Sequence, residues 1–370
     1  MGLIATYHES PAFRQAFARC TAFVVRHDGR SPRQVYADLA GDCERLGIEH
    51  WDVMAEGGAV TRLEDAVRGL LGTEAAAVFP SGVMAQQAAL RVHADDTGSR
   101  RVAVPDLSHL LVHEEDGPRI LQGLRFEHLT TGWETPTARH LDAIPGRLAA
   151  AVVELPLRDG GSILPSYADL ERLAAACRGR GVRLHLDGAR IWESQAWFGR
   201  PLADVVALAD SVYVSLYKGL GGLSGAVLAG RADFVAQARL WRRRLGGTLY
   251  RTTDAVAGLA GLERMLPRIP DTVRWARALA AALPPEVRVF PAVPHTSSFV
   301  LFADRDPSSV NARLVAHMAA TGTALTRSWR SYDGSGVAMT ELTVGVGALA
   351  LDPHEVARAI AAAVVGPPPS

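Results

Sequence analysis

VRLHLDGAR at residues 182–190 and SVYVSLYKGLGG at residues 211–222 are the two stretches that decide the fold. Both begin as strands, because apolar and polar residues alternate in the first, and β-branched and aromatic residues fill the start of the second. The first strand ends at an acid, Asp187, and the second at an amine, Lys218, which glycines follow. The interval of 31 residues from Asp187 to Lys218 is long enough for two parallel strands joined by a crossover.

An acid and an amine fixed at neighbouring strand ends suit pyridoxal 5'-phosphate (PLP). A lysine holds this cofactor as a Schiff base, and a carboxylate keeps its pyridinium nitrogen protonated so that the ring can accept electrons. Lys218 would be the lysine and Asp187 the acid, and the glycines after Lys218 would let the backbone pass close to the ring. In the alternative interpretation Asp187 caps a helix and Lys218 is a solvated loop residue. Arg190, three residues after the acid, favours the PLP site.

The composition is that of an ordinary globular protein. Of 370 residues, 48% are hydrophobic and 21% charged, and 39 Lys and Arg balance 39 Asp and Glu. This balance argues against nucleic acid or an anionic membrane as the main partner. The three cysteines show neither a disulfide framework nor zinc spacing, and the chain has no signal-like start and no apolar run of membrane-spanning length. We therefore expect a cytoplasmic protein without a metal ion.

A short apolar strand at residues 75–79 runs into Pro80-Ser81-Gly82 and then a helix at 83–92. Strand, small residues and helix N-terminus together form a typical phosphate site, because the free N–H groups and the helix dipole favour an anion. Ser81 could equally be a plain helix cap. These residues alone leave both interpretations open.

Strands and helices alternate from residue 75 to 230, and several of the strands are mostly apolar. This order predicts a parallel sheet covered on both faces, which binds ligands at the carboxyl ends of its strands. The polar residues that follow or close these strands are Ser81, His109, Glu154, Asp187 and Lys218. Neither Gly-x-Gly-x-x-Gly after the first strand nor a Walker sequence is present, so nicotinamide and nucleotide triphosphates rank low.

His109 and His113 have the i, i+4 spacing of half a zinc site. No third ligand follows at a recognisable spacing, so we do not predict a metal there. We interpret His113 as a solvated or core histidine.

The strings HLDGAR at 185–190, ADSV at 209–212 and KGLG at 218–221 resemble the threonine aldolase and β-eliminating lyase family, which are fold-type I PLP enzymes similar to aspartate aminotransferase. The resemblance implies an α/β fold, with a large PLP-transferase domain whose mainly parallel sheet is covered by helices, and a smaller C-terminal α/β domain. Pro284-Pro285 marks the expected boundary. The expected division is therefore an N-terminal segment at 1–50, the large domain at 51–283 and the small domain at 284–370.

The resemblance also assigns roles to individual residues. Lys218 would hold the cofactor and later act as a base, and His109 would stack on the pyridine ring and help to move a proton. Arg190 would bind the substrate carboxylate or the cofactor region, and His185, two residues before Asp187 on the strand, would orient that acid or adjoin the ring. The expected cofactor-binding residues are Ser81, Gly82, Val83, His109, Glu154, His185, Asp187, Arg190 and Lys218.

The sequence departs from the family's pattern at the substrate side of the expected site. The family's Glu-Asn-Thr-His run after the 149–154 strand appears here as ELPL at 154–157, and its early Tyr-Gly pair appears as Met54-Ala55. Glu341 aligns near the family's C-terminal substrate arginine. We therefore expect a remodelled substrate pocket.

The expected reaction is cleavage of the Cα–Cβ bond of a β-hydroxy amino acid to glycine and an aldehyde. A PLP-dependent β-elimination or β-replacement is the alternative, an aminotransferase is more distant, and a catalytically silent member of the fold is the non-enzymatic possibility. An amino acid is the expected small-molecule partner. The resemblance further implies a homodimer or a homotetramer with active sites built across a subunit interface.

Overall fold

A seven-stranded sheet forms the centre of residues 32–267. The computed structural model describes residues 9–25 and 29–366, so residues 1–8, 26–28 and 367–370 of the two predicted terminal regions lie outside the described residues. In spatial order the strands are Ala75–Phe79, Ala226–Gly230, Ser211–Ser215, Arg183–Gly188, Ala150–Glu154, Arg101–Val104 and Arg125–His128. Six strands run in one direction, and Ala226–Gly230 runs against both of its neighbours.

The central strands are buried along their whole length. Every residue of Ala150–Glu154, Ser211–Ser215 and Ala226–Gly230 is buried. A strand that buries consecutive residues has both faces covered, which confirms the predicted sheet. The covering helices of this unit are Pro32–Leu46, Gly58–Leu71, Gly82–Thr97, His109–Val112, Gly117–Gln122, Ala138–Asp142, Tyr167–Gly179, Ile191–Phe198, Leu202–Val206, Ala232–Arg244 and Thr252–Arg264.

The loop before helix Gly58–Leu71 is fastened by one buried carboxylate. Asp52 accepts hydrogen bonds from the backbone N–H groups of Ala55 (2.7 Å), Arg251 (2.8 Å) and Thr252 (2.6 Å). Ala55 has a φ of 66°, in the left-handed region that favours glycine. The loop thus keeps a glycine-type backbone at the position where the family pattern has glycine.

The described residues among 1–31 and 268–370 form a second unit. Its antiparallel sheet has the strand order Arg330–Tyr332, Val337–Thr343, Ser298–Ala303 and Arg288–Phe290, and a short parallel pair joins Ala22–Phe23 to Thr323–Ala324. The helices are Pro11–Arg19, Ile269–Ala282, Pro307–Thr321 and Pro353–Val365. Phe13 and Phe17 of the first helix are buried in this unit's own core.

Some elements differ from their predicted bounds. The helix predicted at 83–92 is Gly82–Thr97. Glu341 lies on strand Val337–Thr343, whose residues 338–343 pair in register with Ser298–Ala303. Helix Ile269–Ala282 packs with the C-terminal unit although it precedes Pro284. Among the described residues no helix has both the length and the apolarity needed to cross a bilayer.

Candidate active site

The carboxyl edge of the sheet brings the predicted site residues together. Because six strands run the same way, the segments that follow them meet at one edge. Glu154 and Asp187 are direct neighbours across paired strands, and Asp187 is opposite Tyr213 on the next strand. The predicted residues that follow or close strands at this edge are Ser81, His109, Glu154, Asp187 and Lys218.

The turn after strand Ala75–Phe79 begins helix Gly82–Thr97, whose 16 residues make a substantial dipole. Ser81 is the N-cap, and its Oγ accepts a hydrogen bond of 3.2 Å from the N–H of Met84. Gly82 lies against the ring of Tyr213, since a Cβ at position 82 would be 2.1 Å from Tyr213 Oη. The helix cap is therefore present, and a residue without a side chain is required beside it.

Asp187 is held by two hydrogen bonds, from Gln86 Nε2 to Oδ2 at 2.7 Å and from the N–H of Ala189 to Oδ1 at 3.0 Å. Sequence analysis missed Gln86, which is buried in helix Gly82–Thr97. Its signal is faint: a polar residue one helical turn after Gly82 on an alanine-rich helix. These contacts fix the orientation of the carboxylate that we predicted from the strand end.

Lys218 lies in a buried and charged environment. Burial lowers the pKa of its amine, and the positive charges of Arg190 and Arg158 act in the same direction against the negative charge of Asp187. A lowered pKa increases the fraction of neutral amine, which is the nucleophilic form. Arg158 was not among the predicted site residues.

Glu154 and His109 are joined through the backbone, because the N–H of His109 donates to Glu154 Oε1 at 2.6 Å. Burial and the charge of Asp187 raise the pKa of Glu154 to about 8. His109 Nδ1 is 3.1 Å from Oε1 of the buried Glu114. Burial lowers the pKa of the His109 imidazole, but the hydrogen bond to Glu114 and the charge of Asp187 outweigh this effect, so the pKa is raised.

A second histidine lies beside the first. The rings of His109 and His113 are stacked with centroids 4.8 Å apart, and His113 Nε2 is hydrogen-bonded to Asp159 in the loop after strand Ala150–Glu154. The sequence pattern predicts a solvated or core position for His113 and gives no signal for Asp159. Among the described residues, no group of three or more acidic, histidine or cysteine side chains is arranged to hold a metal ion.

Two further predicted residues have clear positions. The Arg190 side chain is mostly buried, and its Nη1 lies 3.7 Å from Oε1 of the buried Glu193. His185 is fully buried and its Nδ1 is 2.8 Å from Ser211 Oγ, which also bonds His93 Nε2 at 2.7 Å. Burial lowers the pKa of His185 to about 3, so its ring is neutral. Its predicted role near the cofactor stays a prediction.

These residues fit PLP chemically. Lys218 is a buried amine with a lowered pKa, and Asp187 is an oriented carboxylate that can pair with a pyridine nitrogen. The N-terminus of the helix that begins after Ser81 has N–H groups that can bind a phosphate. At Gly82 a Cβ atom would clash with Tyr213, so only glycine fits there. Lysine, acid and phosphate site thus belong to one edge of one sheet.

Comparison with known proteins identifies the family. The model of the beta-eliminating lyase family matches residues 44–305. Low-specificity L-threonine aldolase 1 of Arabidopsis thaliana is 30% identical over 246 residues, which are 63% of this chain and 68% of that protein.

Two solved structures agree over nearly the whole chain. A candidate aromatic amino acid beta-eliminating lyase/threonine aldolase from Exiguobacterium sp. 255-15 has a TM-score of 0.88 and 33% identity, and covers 95% of this chain and 99% of its own. A candidate L-allo-threonine aldolase from Listeria monocytogenes EGD-E has a TM-score of 0.88 and 30% identity, with 95% and 98% covered. The chain therefore belongs to the β-eliminating lyase family and is a PLP-dependent lyase.

Proposed function

We propose that this lyase cleaves the Cα–Cβ bond of a β-hydroxy amino acid, giving glycine and an aldehyde, as its relatives named threonine aldolases do. The observation that supports this best is the histidine–carboxylate cluster near Asp187, in which His109 contacts Glu114 through its ring and Glu154 through its backbone N–H. A retro-aldol cleavage needs a base for the β-hydroxyl proton as well as the lysine and the acid, and imidazoles paired with carboxylates suit that task.

Each residue then has a role that follows from its surroundings. Lys218 would hold the cofactor through its neutral amine, and Asp187, which Gln86 orients, would pair with the pyridine nitrogen. Bound PLP supplies the sink for the electron pair left on Cα. Arg190 offers a guanidinium fork to the substrate carboxylate, with Arg158 as a second positive charge near Lys218. Ser81, Gly82 and Val83 bind the phosphate at the helix N-terminus.

The cofactor assignment is tested by absorbance and borohydride reduction. We expect the wild-type protein with PLP to absorb near the edge of the visible range and to retain a reduced adduct, and Lys218→Ala to retain none. A reducible adduct in Lys218→Ala would show that another lysine is used.

The reaction is tested with a panel of amino acids and product assays. Glycine and an aldehyde from threonine or phenylserine would support the proposal. Pyruvate and ammonia from serine or cysteine derivatives, with no glycine from any β-hydroxy substrate, would make the enzyme a β-eliminating lyase instead. The matching family model carries that name, which is why this outcome is the second candidate.

A homodimer or homotetramer in the cytoplasm completes the proposal. Four large apolar residues have 49–70% of their surface exposed: Trp51, Val53, Leu249 and Tyr250. Asp52 binds the backbone of Arg251, so the two segments are adjacent. An exposed apolar surface of this kind is typical of an interface, and we infer that a second copy of the chain covers it.

Light scattering at micromolar concentration tests the assembly, and a monomer would contradict it.

All three cysteines are free thiols, which suits a reducing compartment.

A further inference from the structure

We propose that the pair formed by His113 and Asp159 accepts the β-hydroxyl proton of the substrate, beside and separately from His109. This inference rests on the proposed aldol cleavage and names the base for it. It concerns a pair of residues that the sequence pattern did not connect, because they are 46 positions apart.

The geometry gives two parallel histidine–carboxylate pairs. His109 bonds Glu114 through Nδ1, and His113 bonds Asp159 through Nε2. The two imidazole planes are 28° apart with centroids at 4.8 Å, so the His113 ring is stacked on the His109 ring. An ionised carboxylate only accepts hydrogen bonds, so opposite Asp159 the neutral His113 ring carries its proton on Nε2 and presents the lone pair of Nδ1.

The side-chain exposures of His113 and Asp159 suit a general base and the acid that orients it. The Asp159 side chain is 8% exposed and the His113 side chain 18%, so the acid is covered and the imidazole is still partly accessible. No other group of the described residues hydrogen-bonds the His113 ring, so Nδ1 is left to accept a proton. A carboxylate that fixes the tautomer of a neighbouring imidazole is a general feature of histidine bases.

The loop that carries Asp159 is the one where the sequence departs from the family pattern. Residues 155–157 are Leu-Pro-Leu, so the polar side chains of the Asn-Thr-His run are missing here. Asp159 comes two residues later and bonds His113 at the end of helix His109–Val112. The loop therefore still contributes a polar group, indirectly through a histidine from another segment.

The step balances without an additional reagent. The O–H bond of the substrate breaks and its proton moves to His113 Nδ1, while the electron pair forms the aldehyde C=O bond. The Cα–Cβ bond breaks and leaves its electrons on Cα. A proton then returns to Cα to give glycine, and His113 loses its proton to solvent.

The test compares two reactions of the PLP-loaded enzyme. Cleavage of phenylserine needs the hydroxyl base, whereas exchange of the glycine α-proton in D₂O needs the cofactor but has no hydroxyl. His113→Phe keeps a flat ring for stacking and removes the nitrogens. We expect cleavage to fall about 100-fold, the lower range for a general base, and glycine exchange to change less than about 2-fold.

Asp159→Asn should reduce cleavage in the same direction, by about 10-fold, because the orienting charge is lost. His140 is the matched control, since its Nε2 lies 3.4 Å from Glu134 Oε1 in the same unit without a predicted role. His140→Phe should leave both reactions unchanged. In the protein without PLP, ¹⁵N NMR of the His113 ring should show a tautomer change in Asp159→Asn.

Three results would overturn the inference: equal falls in cleavage and glycine exchange, unchanged cleavage in His113→Phe, or an unaltered His113 tautomer in Asp159→Asn. Equal falls would mean a structural role. A wild-type enzyme that cleaves no β-hydroxy amino acid would refute the proposed function itself. Cleavage by the wild type is therefore measured before any variant is made.

Discussion

Replacing Gly82 with alanine tests whether the helix behind Ser81 must approach the sheet as closely as the structure shows. The added Cβ would lie 2.1 Å from Tyr213 Oη, 2.4 Å from Cζ and 2.8 Å from Cε2. The tyrosine ring is 3% exposed and packed among core residues. Close packing leaves no room for the ring to turn aside.

The magnitude follows from these distances. Ordinary carbon contacts begin at 3.4 Å, so the ring or the helix must retreat by roughly 1.3 Å. Overpacking of this kind costs about 1–3 kcal/mol. We expect Gly82→Ala to lower the free energy of unfolding by an amount near the upper end of that range. PLP should also bind more weakly, because the N–H groups proposed to bind its phosphate would shift with the helix.

Variants of Tyr213 separate this clash from a general effect of alanine. Tyr213→Phe removes only Oη and leaves Cζ at 2.4 Å, so it should not rescue Gly82→Ala. Tyr213→Leu removes the ring, so adding Gly82→Ala to it should cost little. Urea denaturation without PLP gives the coupling energy of the Gly82 and Tyr213→Leu cycle, which we expect at about 1–3 kcal/mol. Additive effects within about 0.5 kcal/mol would refute the reasoning.

Three further predictions concern stability. Burial and the charge of Asp187 raise the pKa of Glu154 from 4.5 to about 8, so the cofactor-free protein should lose stability as the pH rises between these values, by at most about 1.4 kcal/mol per pH unit. Glu154→Gln should flatten this profile, measured by urea denaturation at pH 6 and 8, and an identical slope would contradict it. Burial favours a higher pKa for Asp52, but hydrogen bonds led by that from Thr252 outweigh it and lower the pKa. Asp52→Asn should therefore cost about 1–3 kcal/mol at pH 7, a difference that shrinks as the pH falls below about 4, and a constant difference would count against it. Ala55→Gly should raise the free energy of unfolding by about 0.5–1 kcal/mol, because the φ of 66° is strained for alanine, and a loss of stability would show that no strain exists.

Sequence pattern predicted the sheet well because its strands are bounded by strong local signals. Strand Ala75–Phe79 has its predicted bounds, since it is a short apolar run between turn-forming residues. Helix Ile191–Phe198 was not predicted, because it is apolar and aromatic on several sides and lacks a helical period. The unit to which a helix belongs depends on distant packing, so the pattern did not place Ile269–Ala282 with the C-terminal strands.

Only the candidate site residues that follow or close a strand could be predicted from the sequence pattern. Asp187 and Lys218 are predicted in this way, whereas the side chains that orient the site residues are not. Gln86 is 101 positions from Asp187, and Asp159 is 46 from His113. Such pairs are created by the crossing of helices over the sheet, and no spacing rule within one element detects them. The resemblance could not supply Asp159 either, because the loop departs from the family pattern there.

The charges at this edge explain why the cofactor should stabilise the fold. Burial raises the pKa of Glu154 and of Glu114 and lowers the pKa of Lys218, so the ionised forms are disfavoured in the empty protein. In the proposed site, bound PLP would use the neutral amine and give Asp187 a cationic partner, which would remove part of this cost. A ligand at 100 times its dissociation constant adds about 2.7 kcal/mol to the free energy of unfolding. We therefore expect a higher Tm with PLP in the wild type and little gain in Lys218→Ala, and equal gains in both would show that the stabilising contact lies elsewhere.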